Sequence, residues 1–211
     1  MDASRLDAVL QERLQGRRLL DHPFYRRWSR GEVSVEELRA YAAQYRHFEA
    51  MLPEHLDAVA EGATTPGLRE AARRNRADES THLALFDAFA AALGVAAPEA
   101  PSPAMQRLLD VYAAARVRGG VEGFAALLAY EAQSSGVAAS KAQGLREHAI
   151  LDGDGALRFW DLHACVDRDH AAWALQALSA SGAGEQRVGD AVEAAASAWW
   201  SFLDEREALR A

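Results

Sequence analysis

His163, Asp167 and His170 stand at spacings of four and three within the stretch Phe159-Trp160-Asp161-Leu162-His163-Ala164-Cys165-Val166-Asp167-Arg168-Asp169-His170. An α-helix turns by about 100° per residue, so the three fall within about 60° of one another on one face. Phe159, Val166, Ala174 and Leu178 continue that face and are apolar. Three potential metal ligands therefore interrupt a stripe that should face a core. Burying a polar group without a partner costs roughly 1–3 kcal/mol, and an unpaired charge costs more. A bound metal would satisfy all three groups.

Two further helical patterns place acids or histidines on apolar faces. Glu79 and His82 share a face with Asn75, Leu85, Phe86, Phe89 and Leu93, and Glu131 is the only charge among Phe124, Leu127, Leu128 and Ser135. Each feature alone has a plainer use. Glu79 and His82 would serve as a surface pair, Glu131 as a carboxylate bonded to a tyrosine or a helix end, and a core histidine as a hydrogen-bonded group. The coincidence on three helices favours a metal site. Facing helices of a bundle build dimetal carboxylate centres from Glu and Glu-x-x-His motifs. Such oxygen and nitrogen donors suit iron or manganese, and a reduced pair of these ions can activate dioxygen.

The elements that must position these residues read as helices throughout. Alanine dominates, β-branched residues are sparse, and no stretch alternates with a period of two. A first helix is expected from about Ser4 to Leu20, broken by Asp21-His22-Pro23. A short turn with Phe24, Tyr25 and Trp28 ends near Gly31. Ser34 and Glu37 form a capping pattern for a helix whose stripe is Leu38, Tyr41, Tyr45, Phe48, Leu52, His55 and Val59. Gly62 to Thr65 closes it, and a helix opened by Pro66 is expected to run to Gly94. The prolines 98, 101 and 103 mark the longest loop. Later helices end near Arg118 before Gly119-Gly120, carry Glu131, follow a turn at Asp152-Gly153-Asp154-Gly155, and run from Glu185 to about Arg206. The expectation is a single all-α domain over residues 1–211, a bundle of about seven helices.

Composition narrows the function. The chain has 211 residues and is 50% hydrophobic, enough for a real core. A formal net charge of −8 argues against a nucleic-acid partner. The lone Cys165 permits no internal disulfide, which makes the cytoplasm the default compartment. It lies about 165° from the mean ligand direction, so we read it as packing rather than as a nucleophile. The N-terminus lacks the apolar run of a signal peptide, and the most apolar window, Leu83 to Ala97, is too short for a membrane span and contains Asp87. A soluble cytoplasmic protein with no membrane partner is expected. His22 reads as capping a turn, His47 and His148 as solvated, and His55 as a hydrogen-bonded core residue. Trp199, Trp200 and Phe202 offer core packing, or a surface for a homodimer.

These residues, in this order, resemble the haem-oxygenase-like dimetal oxidases over roughly Leu20 to Leu178. Within that superfamily the chain is most similar to the CADD-like para-aminobenzoate synthases, of the TenA-like fold. Asp21-His22-Pro23-Phe24-Tyr25-Arg26-Arg27-Trp28-Ser29-Arg30-Gly31-Glu32 resembles that group's N-terminal signature. Ala40-Tyr41-Ala42-Ala43-Gln44-Tyr45, Pro53, Tyr130-Glu131 and Lys141 match as well, and His163-x-x-x-Asp167-x-x-His170 matches the superfamily's most specific motif. Three departures stand out. Glu79-Ser80-Thr81-His82 has the compact spacing of the fatty-acid decarboxylase branch, Phe159 replaces a tyrosine, and the cysteine-bearing tail is lacking.

The resemblance implies an oxygen-dependent enzyme that makes para-aminobenzoate for folate synthesis. Its metals, Fe/Fe or Mn/Fe, would be held by Glu79, His82, Glu131, His163, Asp167 and His170, with dioxygen and an external reductant as co-reactants. It implies Tyr25 as the sacrificed source of the aromatic ring, Lys141 as the amine donor, and Tyr41 and Tyr130 as nearby redox or positioning groups. Read from the residues alone, the tyrosines serve equally as core aromatics and Lys141 as a solvated helix residue about 80° off the Glu131 face. Two other readings stay open: a related oxidase acting on an external amino or fatty acid, and a metal-free helical binding module.

Overall fold

The computed structural model describes residues 1–95, 99–151 and 154–210. All its regular elements are helical: α1 Ala3–Leu14, a 3₁₀ turn Leu19–Asp21, α2 Pro23–Ser29, α3 Val35–Glu61, α4 Pro66–Glu79, α5 His82–Ala92, α6 Pro103–Arg118, α7 Gly120–Glu147, α8 Asp154–Ala180 and α9 Glu185–Ala208. Pro98 and the Asp152-Gly153 half of the expected turn lie outside the described residues. No helix among the described residues is long and apolar enough to cross a membrane.

The described residues hold nine α-helices, close to the expected seven or so; the short turn at Phe24 to Trp28 forms α2, and two helices end earlier than the sequence suggested. The first helix stops at Leu14 rather than Leu20, since Gly16 takes a left-handed φ of 74° that turns the chain. The helix expected from Pro66 to Gly94 divides between Glu79 and His82. There the Ser80 hydroxyl donates to the Ala77 carbonyl at 2.7 Å and the Thr81 hydroxyl to that of Asp78 at 3.5 Å. Such local bonds compete with the helical ladder. The break therefore falls between two predicted ligands.

The α3 start follows the sequence closely. The Ser34 hydroxyl accepts from the Glu37 amide, and the Glu37 carboxylate accepts from the Ser34 amide, a complete capping box. Every residue of the expected stripe from Leu38 to Val59 is buried. Arg27 of α2 clamps this start to the chain's end, donating to Glu37 at 2.6 Å and to Glu207 of α9 at 2.9 Å.

Helix α7 is the axis of the bundle and packs against α2, α3, α4, α6, α8 and α9. Nineteen of its residues are buried, so it reads as apolar nearly all round, the pattern of a central helix. The other helices wrap it with one apolar face each. The C-terminal aromatics settle the choice between core and surface. Trp199 and Phe202 are buried, and Trp200 is half-buried with its ring edge on His22, 4.7 Å between centroids. Cys165 is exposed, so it packs nothing, although it does point away from the ligand face.

Helices α3 and α7 meet backbone to backbone. The Gly120 amide donates to the Gly62 carbonyl at 3.1 Å. A Cβ on Gly120 would lie 2.6 Å from the Val59 carbonyl oxygen and 2.8 Å from the Ala63 nitrogen. Neither neighbour is a flexible side chain that could yield. Gly120→Ala is expected to lower stability by roughly 1–3 kcal/mol, the usual cost of overpacking. Urea unfolding of the two proteins checks this, and an unchanged midpoint would show that the crossing is looser than described.

Candidate metal centre

Four helices and the α4–α5 break converge on one small cavity. It is lined by Glu49 and Leu52 of α3, Glu79 at the end of α4, Leu127, Tyr130 and Glu131 of α7, and His163 and Asp167 of α8. It has room for about one water molecule. All six residues predicted as ligands are buried, and the structure brings them together. The break at Ser80-Thr81 decides the α4–α5 contribution, because Glu79 closes one helix as His82 opens the next. Their side chains still meet, with His82 Nδ1 2.8 Å from Glu79 Oε2. They are not the surface pair that the sequence alone left open.

Two subclusters are visible. Glu79, His82 and His163 each offer a donor atom within 4.8 Å of the others, the spacing a single ion could bridge. His170 Nδ1 stands among three carboxylates, 3.6 Å from Glu79 Oε1, 3.6 Å from Asp167 Oδ1 and 3.8 Å from Glu131 Oε1. Glu79 belongs to both groups, as a bridging carboxylate would.

The surroundings prepare these groups as ligands. His163 Nδ1–H donates to the Phe159 carbonyl at 2.8 Å, which leaves the Nε2 lone pair free. His170 Nε2–H donates to Asp78 at 3.2 Å, which turns a bare Nδ1 toward the carboxylates. Asn75 holds Glu131 Oε1 at 2.6 Å. Glu131 Oε2, Asp167 Oδ2 and His170 Nδ1 are buried without a hydrogen-bond partner. Three such acceptors facing one cavity are costly to one another unless a cation lies between them. The donor set thus fits hard or borderline divalent ions bound by oxygen and nitrogen.

Protonation follows the same logic. Burial pushes the carboxyls of Glu131 and Asp167 well above their ordinary range. Glu79 differs: burial pushes it up, but the hydrogen bond with His82 holds it below its ordinary value. Burial lowers His163 to about 4, so it stays neutral and able to ligate.

A second cluster adjoins the first. Lys141 is 2% exposed, not the solvated residue that helix geometry alone allowed. Its Nζ donates to the Tyr41 hydroxyl at 2.6 Å. It lies over the rings of Trp160 at 4.1 Å, Tyr25 at 4.5 Å, Tyr41 at 4.8 Å and Tyr45 at 5.0 Å. The Tyr25 and Tyr41 hydroxyls are 2.9 Å apart, and those of Tyr45 and Tyr130 are 2.5 Å apart. Tyr41 stacks on Tyr45 with 5.4 Å between centroids, so the tyrosines run from the Lys141 cage to the cavity beside Glu131. Burial holds the Lys141 ammonium well below its ordinary pKa and raises all four tyrosines.

Sequence reasoning missed Glu49, Asp78 and Trp160 as parts of this region, and saw Tyr45 and Asn75 only as packing. A signal existed for Glu49, which continues the Tyr41–Tyr45 row by one more step of four. The remaining histidines are structural. His22 is buried and accepts from the Phe24 amide at 3.1 Å, and His55 Nε2 bonds the Gly123 carbonyl at 3.0 Å. His47 is half-buried against the Glu99 carbonyl rather than solvated, and His148 is exposed.

The sequence profile of the iron-containing redox enzymes matches residues 39–202, which include every residue of the cavity. The chain belongs to this family. Among its relatives, the 4-aminobenzoate synthase of Nitrosomonas europaea is 32% identical over 90% of this chain and 86% of that protein. The 4-aminobenzoate synthase of Chlamydia muridarum is 32% identical over 79% of this chain and 73% of that one. The fold is that of a TenA homologue from Pseudomonas syringae, with a TM-score of 0.85 at 16% identity over 99% of this chain and 96% of that one. A CADD-like protein from Nostoc punctiforme superposes with a TM-score of 0.77 at 20% identity over 97% of this chain and 96% of that one. The expected all-α haem-oxygenase-like architecture is therefore correct, and the protein is an enzyme of an iron-containing redox family.

Burial disfavours the ionised form of Asp167 in the folded chain, whereas water favours it in the unfolded chain. Its raised folded pKa contributes stability below the unfolded value, which is lost as pH rises. Asp167→Asn removes that loss. The variant's metal-free form should become more stable relative to wild type as pH rises above ~3.9, by up to about 1.4 kcal/mol per pH unit. Denaturant unfolding in chelator between pH 4 and 7 checks this, and a pH-independent difference would contradict it.

Proposed function

We propose that this enzyme is an oxygen-dependent dimetal oxidase that forms 4-aminobenzoate from its own Tyr25, with Lys141 as the amine donor. The observation that carries the reading is the position of the Lys141 amine, 4.5 Å over the Tyr25 ring inside an aromatic cage that adjoins the carboxylate–histidine cavity. The 4-aminobenzoate synthases among its relatives support it.

Glu79, His82 and His163 would hold one ion, and Glu131, Asp167 and His170 the other, with Glu79 near both. When bound, a pair of iron ions, or iron with manganese, supplies the electrons and open coordination positions that activate dioxygen, with an external reductant restoring them. The chain's own residues set the remaining conditions. Burial favours the neutral form of Lys141, the form whose Nζ carries a lone pair as a nucleophile must. The Tyr41 hydroxyl accepts one Nζ–H and touches the Tyr25 hydroxyl, so it fixes the amine and links it to the phenol. Tyr130 and Tyr45 complete a row of phenols between cavity and cage. Tyr25 and Lys141 are both buried, which excludes water from the pair.

The product's formula agrees with the source. In 4-aminobenzoate a carbon substituent lies para to nitrogen, and in tyrosine Cβ lies para to oxygen. Cβ would become the carboxyl carbon as the Cα–Cβ bond breaks, with dioxygen as the oxidant and source of carboxyl oxygen. The Lys141 nitrogen would replace the phenolic oxygen, lost as water, as its Cε–Nζ bond breaks.

A single turnover tests this. Protein reduced and loaded with iron, then given oxygen and no added substrate, should release no more than one 4-aminobenzoate per chain. Mass spectrometry should find a matching loss in the peptides that hold Tyr25 and Lys141, and Tyr25→Phe should yield none. Oxygen uptake with an intact chain would move the reaction to an external substrate. Product from Tyr25→Phe would remove the self-sacrificing step.

Metal binding itself has a simpler readout. An ion at a hundred times its dissociation constant adds about 2.7 kcal/mol. For a chain of this size that raises Tm by about 5–11 °C. Anaerobic iron(II) or manganese(II) should produce such a shift, and Glu131→Gln should reduce it. An unchanged melting curve would favour the metal-free module.

A further inference from the structure

Glu49 lies outside the six-residue ligand set, yet it shares the ligands' cavity. It is 3% exposed, on the α3 wall that faces the ligands of α7 and α8. The Tyr45 hydroxyl is a hydrogen-bond neighbour of its carboxyl group, whereas Oε2 is buried with no partner at all. No arginine or lysine forms an ion pair with it among the described residues. A glutamate placed this way is an anomaly in a core. Leucine would fill the same wall, as Leu52 does one turn later, without any buried polar atom.

We propose that Glu49 is a seventh residue of the metal centre, its free Oε2 supplying a fourth carboxylate to the ion pair held by Glu79, Glu131 and Asp167. The inference rests on the dimetal reading above. Charge balance supports it independently of any single distance. Two divalent ions carry four positive charges, and the histidines add none when neutral. Glu79, Glu131 and Asp167 supply three negative charges, which leaves one uncompensated charge in a dry interior. A fourth carboxylate makes the centre neutral, and an uncompensated buried charge is what low-dielectric interiors tolerate least. Glu49 is also joined to Tyr45, which bonds Tyr130 and stacks on Tyr41. It would therefore connect the ions to the phenol row by a side chain of α3, from the cavity that Glu131 also lines.

A purely structural Glu49, protonated and bonded to Tyr45, predicts something different: its removal would leave metal binding unchanged. Equilibrium dialysis of the metal-free chain against manganese(II), with elemental analysis, separates the two without any turnover. Wild type should bind two ions per chain. Glu49→Gln and Glu49→Leu should each weaken at least one ion about tenfold or more, as loss of a supporting ligand does. Metal-free Glu49→Leu should melt no lower than wild type, because it loses only an unpaired buried group. Two ions bound by Glu49→Gln with wild-type affinity would overturn the inference and leave the dimetal reading intact. Fewer than two ions in wild type would overturn that reading, and this inference with it. Should Glu49→Leu fail to fold, the isosteric Glu49→Gln decides alone.

Discussion

Four carboxyl groups, those of Glu49, Glu79, Glu131 and Asp167, line one cavity that is nearly closed to solvent. Nothing else in the molecule is so unfavourable on its own. Like charges in a dry interior cannot all ionise, so burial pushes three of them toward the neutral acid while the hydrogen bond with His82 holds Glu79 below its ordinary value. The rest of the bundle compensates for this arrangement. The long α7 supplies a rigid apolar axis, α3 and α8 press their faces against it, and hydrogen bonds accepted by the Phe159 carbonyl and Asp78 and donated by Asn75 fix the orientation of the ligating groups. In the dimetal reading, such a site would return that unfavourable free energy as affinity for cations.

The Lys141 cage applies the same principle to a base. A lysine among aromatic rings loses its hydration, and a neutral amine is the form such a cage favours at ordinary pH. The carboxyl of Glu49 opposes this, but burial is the larger effect. The cage and the cavity touch through Tyr45 and Tyr130, whose hydroxyls are 2.5 Å apart, so the buried amine and the carboxylate–histidine cluster stay separate. This separation by one layer of phenols is what the proposed chemistry needs.

Helical periodicity made much of this legible. His163, Asp167 and His170 needed only the 3.6-residue repeat to share a face, and the capping box at Ser34 and Glu37 needed only local bonding. The division of α4 from α5 was not legible, because Ser80 and Thr81 read equally well inside a helix. Cys165 was placed on the correct side of α8, yet its exposure depended on what did not pack there. Lys141 shows the limit most clearly. Helix geometry put it 80° from the Glu131 face and therefore toward solvent. Because α7 is covered on nearly every side, that direction is also interior.

The sequence by itself determined the helices, the faces they bury and the six donors that interrupt those faces, since all of these follow from local spacing and residue type. The tertiary structure decided which faces meet. Only packing could bring Glu49 and Asp167 to one cavity, turn His170 Nδ1 among three carboxylates and close aromatic rings over Lys141. Those contacts join residues tens to more than a hundred positions apart. No periodicity encodes such separations, because they are set by how whole helices fill space against α7.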